Sequence, residues 1–147
     1  MENIYFDTSV IVKLYVLEDG SEEIFNVVKK NKKPLLLNQL QETELKNAFS
    51  LKAFRKEISS IQLSALTTKF QRDITIGRFV RQKVDWNSIW ELAQKLSKEY
   101  SISMGCRTMD IMHVAIALYF NCSFFFTNDE RQKKLALALD MNVDSVF

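Results

Sequence analysis

Four acidic residues lie where an apolar segment ends or where a helix is predicted to begin. Asp7 follows the apolar run 4–6, and Asp129 comes shortly after a run of phenylalanines. Glu44 interrupts the apolar stripe of one predicted helix, and Asp110 lies in the first turn of another. A carboxylate at the edge of a core is costly unless something neutralises it. A hard divalent cation would do so, and such a cation indicates phosphate chemistry.

The elements that must position these acids are short apolar strands separated by helices. Strands are predicted at 4–6, 35–37, 123–127 and 142–146, and helices at 10–17, from 21, and at 41–55, 61–74, 86–100, 109–120 and 129–139. Such an alternation indicates a parallel sheet covered on both faces. We therefore predict an α/β fold, a three-layer α/β/α sandwich with a short, mainly parallel central sheet, as one domain over residues 1–147. Ligands of open sheets bind beyond the carboxyl ends of the strands, where Asp7 and Asp129 are expected.

Asp7 and Glu44 differ in how firmly their patterns indicate function. Asp7 has the alternative role of a helix cap, although Thr8 or Ser9 is each able to cap the helix that follows. Glu44 lies four residues after Leu40 and therefore within the apolar stripe of its helix. A glutamate on a core-facing stripe is rarely structural unless it is paired. The spacing therefore favours a functional role for Glu44.

The helix after Thr108, which is expected to cap it, is apolar all round and must be buried. Asp110 in its first turn is then expected to face an interior cleft, although an acid near a helix N-terminus is also ordinary. For Asp129, which starts the next predicted helix, capping is the strongest alternative. His113 is the only histidine, which excludes a histidine-rich zinc site, and we interpret it as a partly buried structural residue.

The net charge of +2 combines an acidic site with a basic remainder. Without the four acids the chain carries 20 basic and 14 acidic residues, a balance of +6, with basic clusters at 29–33, 78–83 and 131–134. This pattern suits a polyanion, although lysine-rich stretches are often only solvated faces. No apolar run is long enough to span a bilayer, and the chain start lacks a secretory pattern. Two widely spaced cysteines are expected to be reduced thiols, so a cytoplasmic location is predicted.

Four segments, in order, resemble the motifs of PIN-domain nucleases of the VapC toxin type. Residues 5–15 resemble the opening of that family, and 44–49 resemble its second acidic motif. Residues 107–115 resemble the third motif, including its histidine, and 127–131 resemble the last, a threonine, any residue, then aspartate. The four segments span nearly the whole chain. Asn128 departs from the family, which often has an apolar or aromatic residue there.

The resemblance implies a metal-dependent endoribonuclease that cleaves single-stranded or structured RNA. The four acids, Asp7, Glu44, Asp110 and Asp129, would be catalytic and would bind Mg²⁺ or Mn²⁺, with Glu44 completing the metal shell or orienting the attacking water. The candidate substrate-binding residues are Thr8, Ser9, Arg107, Thr127 and Arg131, although surface ion pairs explain the two arginines equally well. Members of this family are commonly dimeric toxins held inactive by a small antitoxin, so a homodimer, an antitoxin partner and no membrane association are expected.

Two other classes of protein remain as alternatives. One is a catalytically inactive PIN-like module that binds RNA or protein as a scaffold, for which the acids would be dispensable. The other is an aspartyl-phosphate protein with a similar sheet. The usual phosphatase pattern has a second aspartate two residues after the first, and Ser9 occupies that position here.

Overall fold

The computed structural model describes residues 3–144 as a short parallel sheet surrounded by helices. The strands are β1 Ile4–Phe6, β2 Leu35–Leu37, β3 Phe79–Arg81, β4 Phe124–Phe126 and β5 Asn142–Asp144. The helices are α1 Thr8–Val12, α2 Ser21–Lys30, α3 Gln39–Phe54, α4 Ser60–Thr75, α5 Trp86–Met104, α6 Thr108–Tyr119 and α7 Glu130–Ala138. β1, β4 and β5 pair in parallel, β2 pairs in parallel with β3, and β1 also contacts β2. The predicted α/β/α class is confirmed.

The alternation of side chains along β1 and β4 creates the layers on either side of the sheet. Tyr5 stacks on Phe125 on one face, within a core that α5, α6 and α7 complete. Phe6 meets Phe126 edge to face on the other side, within a core built from α1 to α4. These four side chains are at most 5% exposed. The two adjacent strands β1 and β4 therefore contribute side chains to both cores, and this packing fixes the positions of the residues that follow each strand.

Two elements differ clearly from the sequence prediction, and a third is described only in part. The first helix ends at Val12 instead of residue 17, because the chain continues in tighter turns such as Lys13 N–H to the Val10 carbonyl. Strand β3 was not predicted, since Phe79 is its only buried residue and offers no alternating pattern. The last strand begins as predicted at 142, and its predicted residues 145–146 lie outside the described residues.

The ladder between β1 and β4 continues one step beyond both strands. The Asp7 backbone N–H donates to the Phe126 carbonyl at 3.1 Å, so the residues that follow the two strands emerge side by side. These residues are Asp7 and Thr127. Helix α1 begins immediately after Asp7, and helix α7 begins three residues after Thr127. Across residues 3–144, no helix combines the length and apolar character needed to cross a bilayer.

Candidate active site

A cleft of about 580 Å³ lies at the carboxyl ends of β1 and β4. Its lining includes all four predicted acids, Asp7, Glu44, Asp110 and Asp129, together with Thr8, Ser9, Arg107, Thr108, Met109, His113, Asn128 and Gln132. Thr127 is buried beneath it and reaches Asp7 through its hydroxyl group. Arg131 is exposed on α7 and is not part of the lining. The structure thus brings together all the predicted site residues except Arg131.

Asp7 is the N-cap of α1, and its side chain is almost completely buried. One carboxylate oxygen accepts the Ser9 hydroxyl at 2.6 Å and the Val10 N–H at 3.1 Å, and the other accepts the Thr127 hydroxyl at 2.7 Å. The expectation that Thr8 or Ser9 caps this helix is wrong, since Asp7 accepts the orphan N–H itself. Burial raises the pKa of Asp7 above its usual value, against the lowering effect of these donors. No lysine or arginine within the described chain forms an ion pair with it.

Glu44 reaches the cleft from α3 and is held by two side chains. The Thr8 hydroxyl donates to Oε1 at 2.7 Å, and His113 Nε2 lies 2.5 Å from the same oxygen. Partial burial would raise the pKa of Glu44, but the contacts with His113 and Thr8 outweigh it and leave the pKa below its usual value. The helical spacing predicted the direction of this side chain, whereas its pairing with His113 was not predicted.

Arg107 bridges two of the acids across the mouth of the cleft. Its Nε donates to Asp110 Oδ2 at 3.0 Å, and its Nη2 donates to Asp129 Oδ2 at 2.8 Å. Although burial would raise the pKa of Asp110, the hydrogen bonds from Arg107 and Gln132 leave it below its usual value. Arg107 also takes the N-cap position of α6 that was expected for Thr108. Of the two roles left open for Arg107, the structure shows the ion pair.

Asp129 and Gln132 connect the acids into one network. Asp129 caps α7, accepting the N–H groups of Arg131 at 2.8 Å and Gln132 at 3.2 Å on Oδ1. The Gln132 side chain turns inward and donates to Asp110 Oδ1 at 3.2 Å. The sequence reasoning missed Gln132. The signal was present, because a glutamine three residues after a cap is the capping-box spacing, but here its amide binds another carboxylate.

The residue types in the cleft fit a divalent cation, because carboxylate oxygens are the ligands that Mg²⁺ and Mn²⁺ prefer. Their arrangement is not that of a formed site. Among residues 3–144, no three histidine, cysteine, aspartate or glutamate side chains are grouped so that they could hold an ion. Arg107 instead supplies positive charge to Asp110 and Asp129. A cation bound by these two acids would have to displace the guanidinium group from at least one of them.

Solved structures with the same architecture include FitAcB, FitAB and VapBC2. FitAcB from Neisseria gonorrhoeae matches with a TM-score of 0.67 and 15% identity, over 97% of this chain and 97% of that one. FitAB bound to an IR36 DNA fragment matches with a TM-score of 0.65 and 15% identity, over 97% and 94%. VapBC2 from Rickettsia felis, bound to a DNA fragment from their promoter, matches with a TM-score of 0.61 and 17% identity, over 97% and 98%. At these identities the likeness shows the fold.

Comparison of the sequence with protein families identifies the family to which the chain belongs. A search among curated proteins gave no match. The PIN domain model, however, matches residues 4–137, which include the whole cleft and most of the core. The chain therefore belongs to the PIN domain family.

Proposed function

We propose that this chain is a Mg²⁺- or Mn²⁺-dependent endoribonuclease that hydrolyses RNA phosphodiester bonds, and that it is the toxin of a toxin–antitoxin pair. The observation that carries the proposal is the convergence of Asp7, Glu44, Asp110 and Asp129 on one cleft at the carboxyl ends of parallel strands. Membership of the PIN domain family supports it, because PIN domains are typically nucleases.

In this proposal the acids have different tasks. Asp7, Asp110 and Asp129 would hold the cation, and Asp7 in particular is a buried carboxylate with neutral donors only. The cation, when bound, supplies positive charge that stabilises the transition state and makes water a better nucleophile. Glu44, which stays ionised through its contacts with Thr8 and His113, orients the attacking water and accepts its proton.

The polar residues around the acids suit a phosphodiester backbone. Thr8 and Ser9 line the cleft beside Asp7, and Thr127 holds Asp7 from below. Arg107 would exchange its carboxylate partners for a substrate phosphate, which a guanidinium group binds through two N–H groups. Arg131, exposed outside the lining, would contact a more distant phosphate. The balance of +6 outside the four acids favours a polyanionic substrate over a neutral one.

The proposed partners are a cognate antitoxin and a second copy of the chain. Support for the antitoxin comes from the neighbouring structures, which are FitAB-type and VapBC2 complexes. Four large apolar side chains, Leu17, Phe54, Ile61 and Ile102, are at least 80% exposed, which suits burial against other chains. The free thiols of Cys106 and Cys122 fit the proposed cytoplasmic location.

Cleavage of a mixed RNA pool by the purified protein, with and without Mn²⁺, tests the proposal. Asp7→Asn and Asp129→Asn are expected to abolish cleavage. Asp85→Asn is the matched control, because Asp85 caps α5 as Asp7 caps α1 but lies outside the cleft. Cleavage by the Asp7→Asn protein at the wild-type rate, or wild-type activity with all divalent ions chelated, would refute a metal-dependent nuclease.

An inactive PIN scaffold is the second candidate, and the bridge from Arg107 to Asp110 and Asp129 is the observation that favours it. A scaffold can keep this bridge permanently, whereas a nuclease must open it. Calorimetric titration with Mn²⁺ separates the two candidates. A nuclease should show saturable heat that disappears in Asp7→Asn, and a scaffold should show no saturable heat with either protein.

A further inference from the structure

A chain of polar side chains crosses the core and ends at Glu44. Asn38 Nδ2 donates to the Tyr5 hydroxyl at 3.3 Å, Tyr5 Oη lies 2.7 Å from His113 Nδ1, and His113 Nε2 lies 2.5 Å from Glu44 Oε1. Asn38, Tyr5 and His113 are each at most 4% exposed. The chain joins the start of α3 to the middle of the same helix by way of β1 and α6.

The hydrogen positions in this chain follow from its chemistry. In a singly protonated imidazole one ring nitrogen donates and the other accepts. Asn38 already donates to the Tyr5 oxygen, so the phenol hydrogen points to His113 Nδ1, which must accept it. Nε2 then carries the ring hydrogen and donates to Glu44. The opposite tautomer would place the Nε2 lone pair against a carboxylate at 2.5 Å, which is repulsive.

The same contacts make the two oxygens of Glu44 different. Oε1 accepts both Thr8 and His113, whereas Oε2 has no hydrogen-bond partner in the part of the chain that the structure describes. The side chain of Glu44 is 34% exposed and lines the cleft. Holding Oε1 from two sides fixes the carboxylate plane and leaves Oε2 available in the cleft.

We infer that His113 is a positioning residue for Glu44. Tyr5 selects the Nε2–H tautomer of His113, and Nε2–H fixes Glu44 Oε1, so that Oε2 is the oxygen that orients the attacking water and accepts its proton. The consequence for cleavage rests on the proposed function, but the tautomer does not. His113 is then not a metal ligand, because the Tyr5 hydroxyl donates to Nδ1 and a hydrogen occupies Nε2. If His113 had only a structural role, its replacement would not lower kcat by way of Glu44.

The tautomer can be read directly, because His113 is the only histidine in the chain. Full-length protein labelled with ¹⁵N-histidine gives a single imidazole in a long-range ¹H–¹⁵N spectrum. The expected pattern is a protonated Nε2 and an unprotonated Nδ1, both unchanged on adding Mg²⁺ apart from small shifts. A protonated Nδ1, or a coordination shift at either nitrogen, would overturn the inference. This result holds whether or not the protein cleaves RNA.

The effect through Glu44 is tested by variants that place an amide at either ring-nitrogen position. His113→Gln puts an N–H near the Nε2 position, whereas His113→Asn puts one near Nδ1. With folding checked by the spectrum and the melting temperature, His113→Asn should lower kcat about 10- to 100-fold with KM changed less than about threefold, and His113→Gln should lower kcat less.

A double-mutant cycle completes the test. In a Glu44→Gln background, His113→Asn should cause little further loss, because the residue through which it acts is already altered. The same fold loss in both backgrounds would show that His113 acts independently of Glu44 and would overturn the inference. Absence of any RNA cleavage by the wild type would instead count against the proposed function and leave the tautomer result to decide the hydrogen-bond chain.

Discussion

Asp7→Asn should leave the protein at least as stable as the wild type while removing its proposed metal binding. The amide keeps one oxygen to accept Ser9 and the Val10 N–H. Its nitrogen faces the Thr127 hydroxyl, which in the wild type donates to Asp7. That hydroxyl can rotate to accept from the amide and donate to Gln132 Oε1, 3.5 Å away. No buried polar group therefore loses its partner.

The sign of the stability change follows from the raised pKa of Asp7. Burial raises the pKa of Asp7 in the folded state. Protonated Asp7 therefore contributes fully to the free energy of unfolding below the unfolded-state pKa of 3.8, and this contribution is lost as the pH rises through the folded-state pKa. At neutral pH the charge therefore costs about 1.4 kcal/mol for each unit by which the pKa is raised. Asparagine removes this cost. In a chain of this size about 1 kcal/mol corresponds to roughly 2–4 °C in melting temperature.

Asp110→Asn should have the opposite effect on stability. The contacts with Arg107 and Gln132 outweigh burial and lower the pKa of Asp110, so its contribution is present above the unfolded value and is lost as the pH falls through the folded value. Asparagine would weaken both contacts at neutral pH. The two variants therefore compare Asp110, which forms an ion pair with Arg107, with Asp7, which accepts only neutral hydrogen-bond donors.

Thermal melting of the wild type and both variants, in chelator, at neutral pH and near pH 4, measures this difference. At neutral pH the expected order of melting temperatures is Asp7→Asn at or above the wild type and Asp110→Asn below it. Near pH 4 the Asp7→Asn difference should shrink, because folded Asp7 is more protonated there, whereas the Asp110→Asn difference should largely remain, because the pKa of folded Asp110 lies below 3.8. A marked fall in the melting temperature of Asp7→Asn at neutral pH would show that ionised Asp7 stabilises the metal-free fold. The reasoning that Asp7 needs an added cation would then be wrong.

Three further outcomes follow. Arg107→Ala should bind Mn²⁺ more tightly in calorimetry, because the variant has no guanidinium group to compete for Asp110 and Asp129. The same variant should bind RNA more weakly in a filter assay. An unchanged Mn²⁺ affinity would contradict the competition between Arg107 and the metal ion. Phe125→Ala, in the fully buried layer against Tyr5, should cost about 3–5 kcal/mol in denaturant unfolding, and a loss below about 1 kcal/mol would contradict the packing. EDTA should stop cleavage, and Mg²⁺ or Mn²⁺ should restore it.

The sequence predicted the parts of the site that depend on local pattern. Asp7 follows an apolar strand, and Glu44 lies on the apolar stripe of its helix, so strand ends and helical period were sufficient to direct both to one cleft. The pairings within the cleft depend on distant parts of the chain. His113 is 69 residues from Glu44, and Arg107 is 22 residues from Asp129, so no local pattern indicates these contacts.

The same distinction explains the missed elements. Strand β3 has a single buried residue, Phe79, and is recognisable only through its pairing with β2. The sequence favours Thr8 or Ser9 as the cap of α1, although the Asp7 side chain is an equally suitable acceptor, and only the backbone geometry at Asp7 shows that Asp7 takes this position.

The proposed function requires that acids distant in sequence hold a divalent ion together. The most direct measurement is an anomalous difference map from a crystal of the protein soaked in Mn²⁺. The predicted result is a peak in the cleft bound by oxygens of Asp7 and Asp110, with Arg107 moved away from at least one of its two carboxylates. A map with no peak in the cleft, in a crystal whose cleft is open to solvent, would contradict the account.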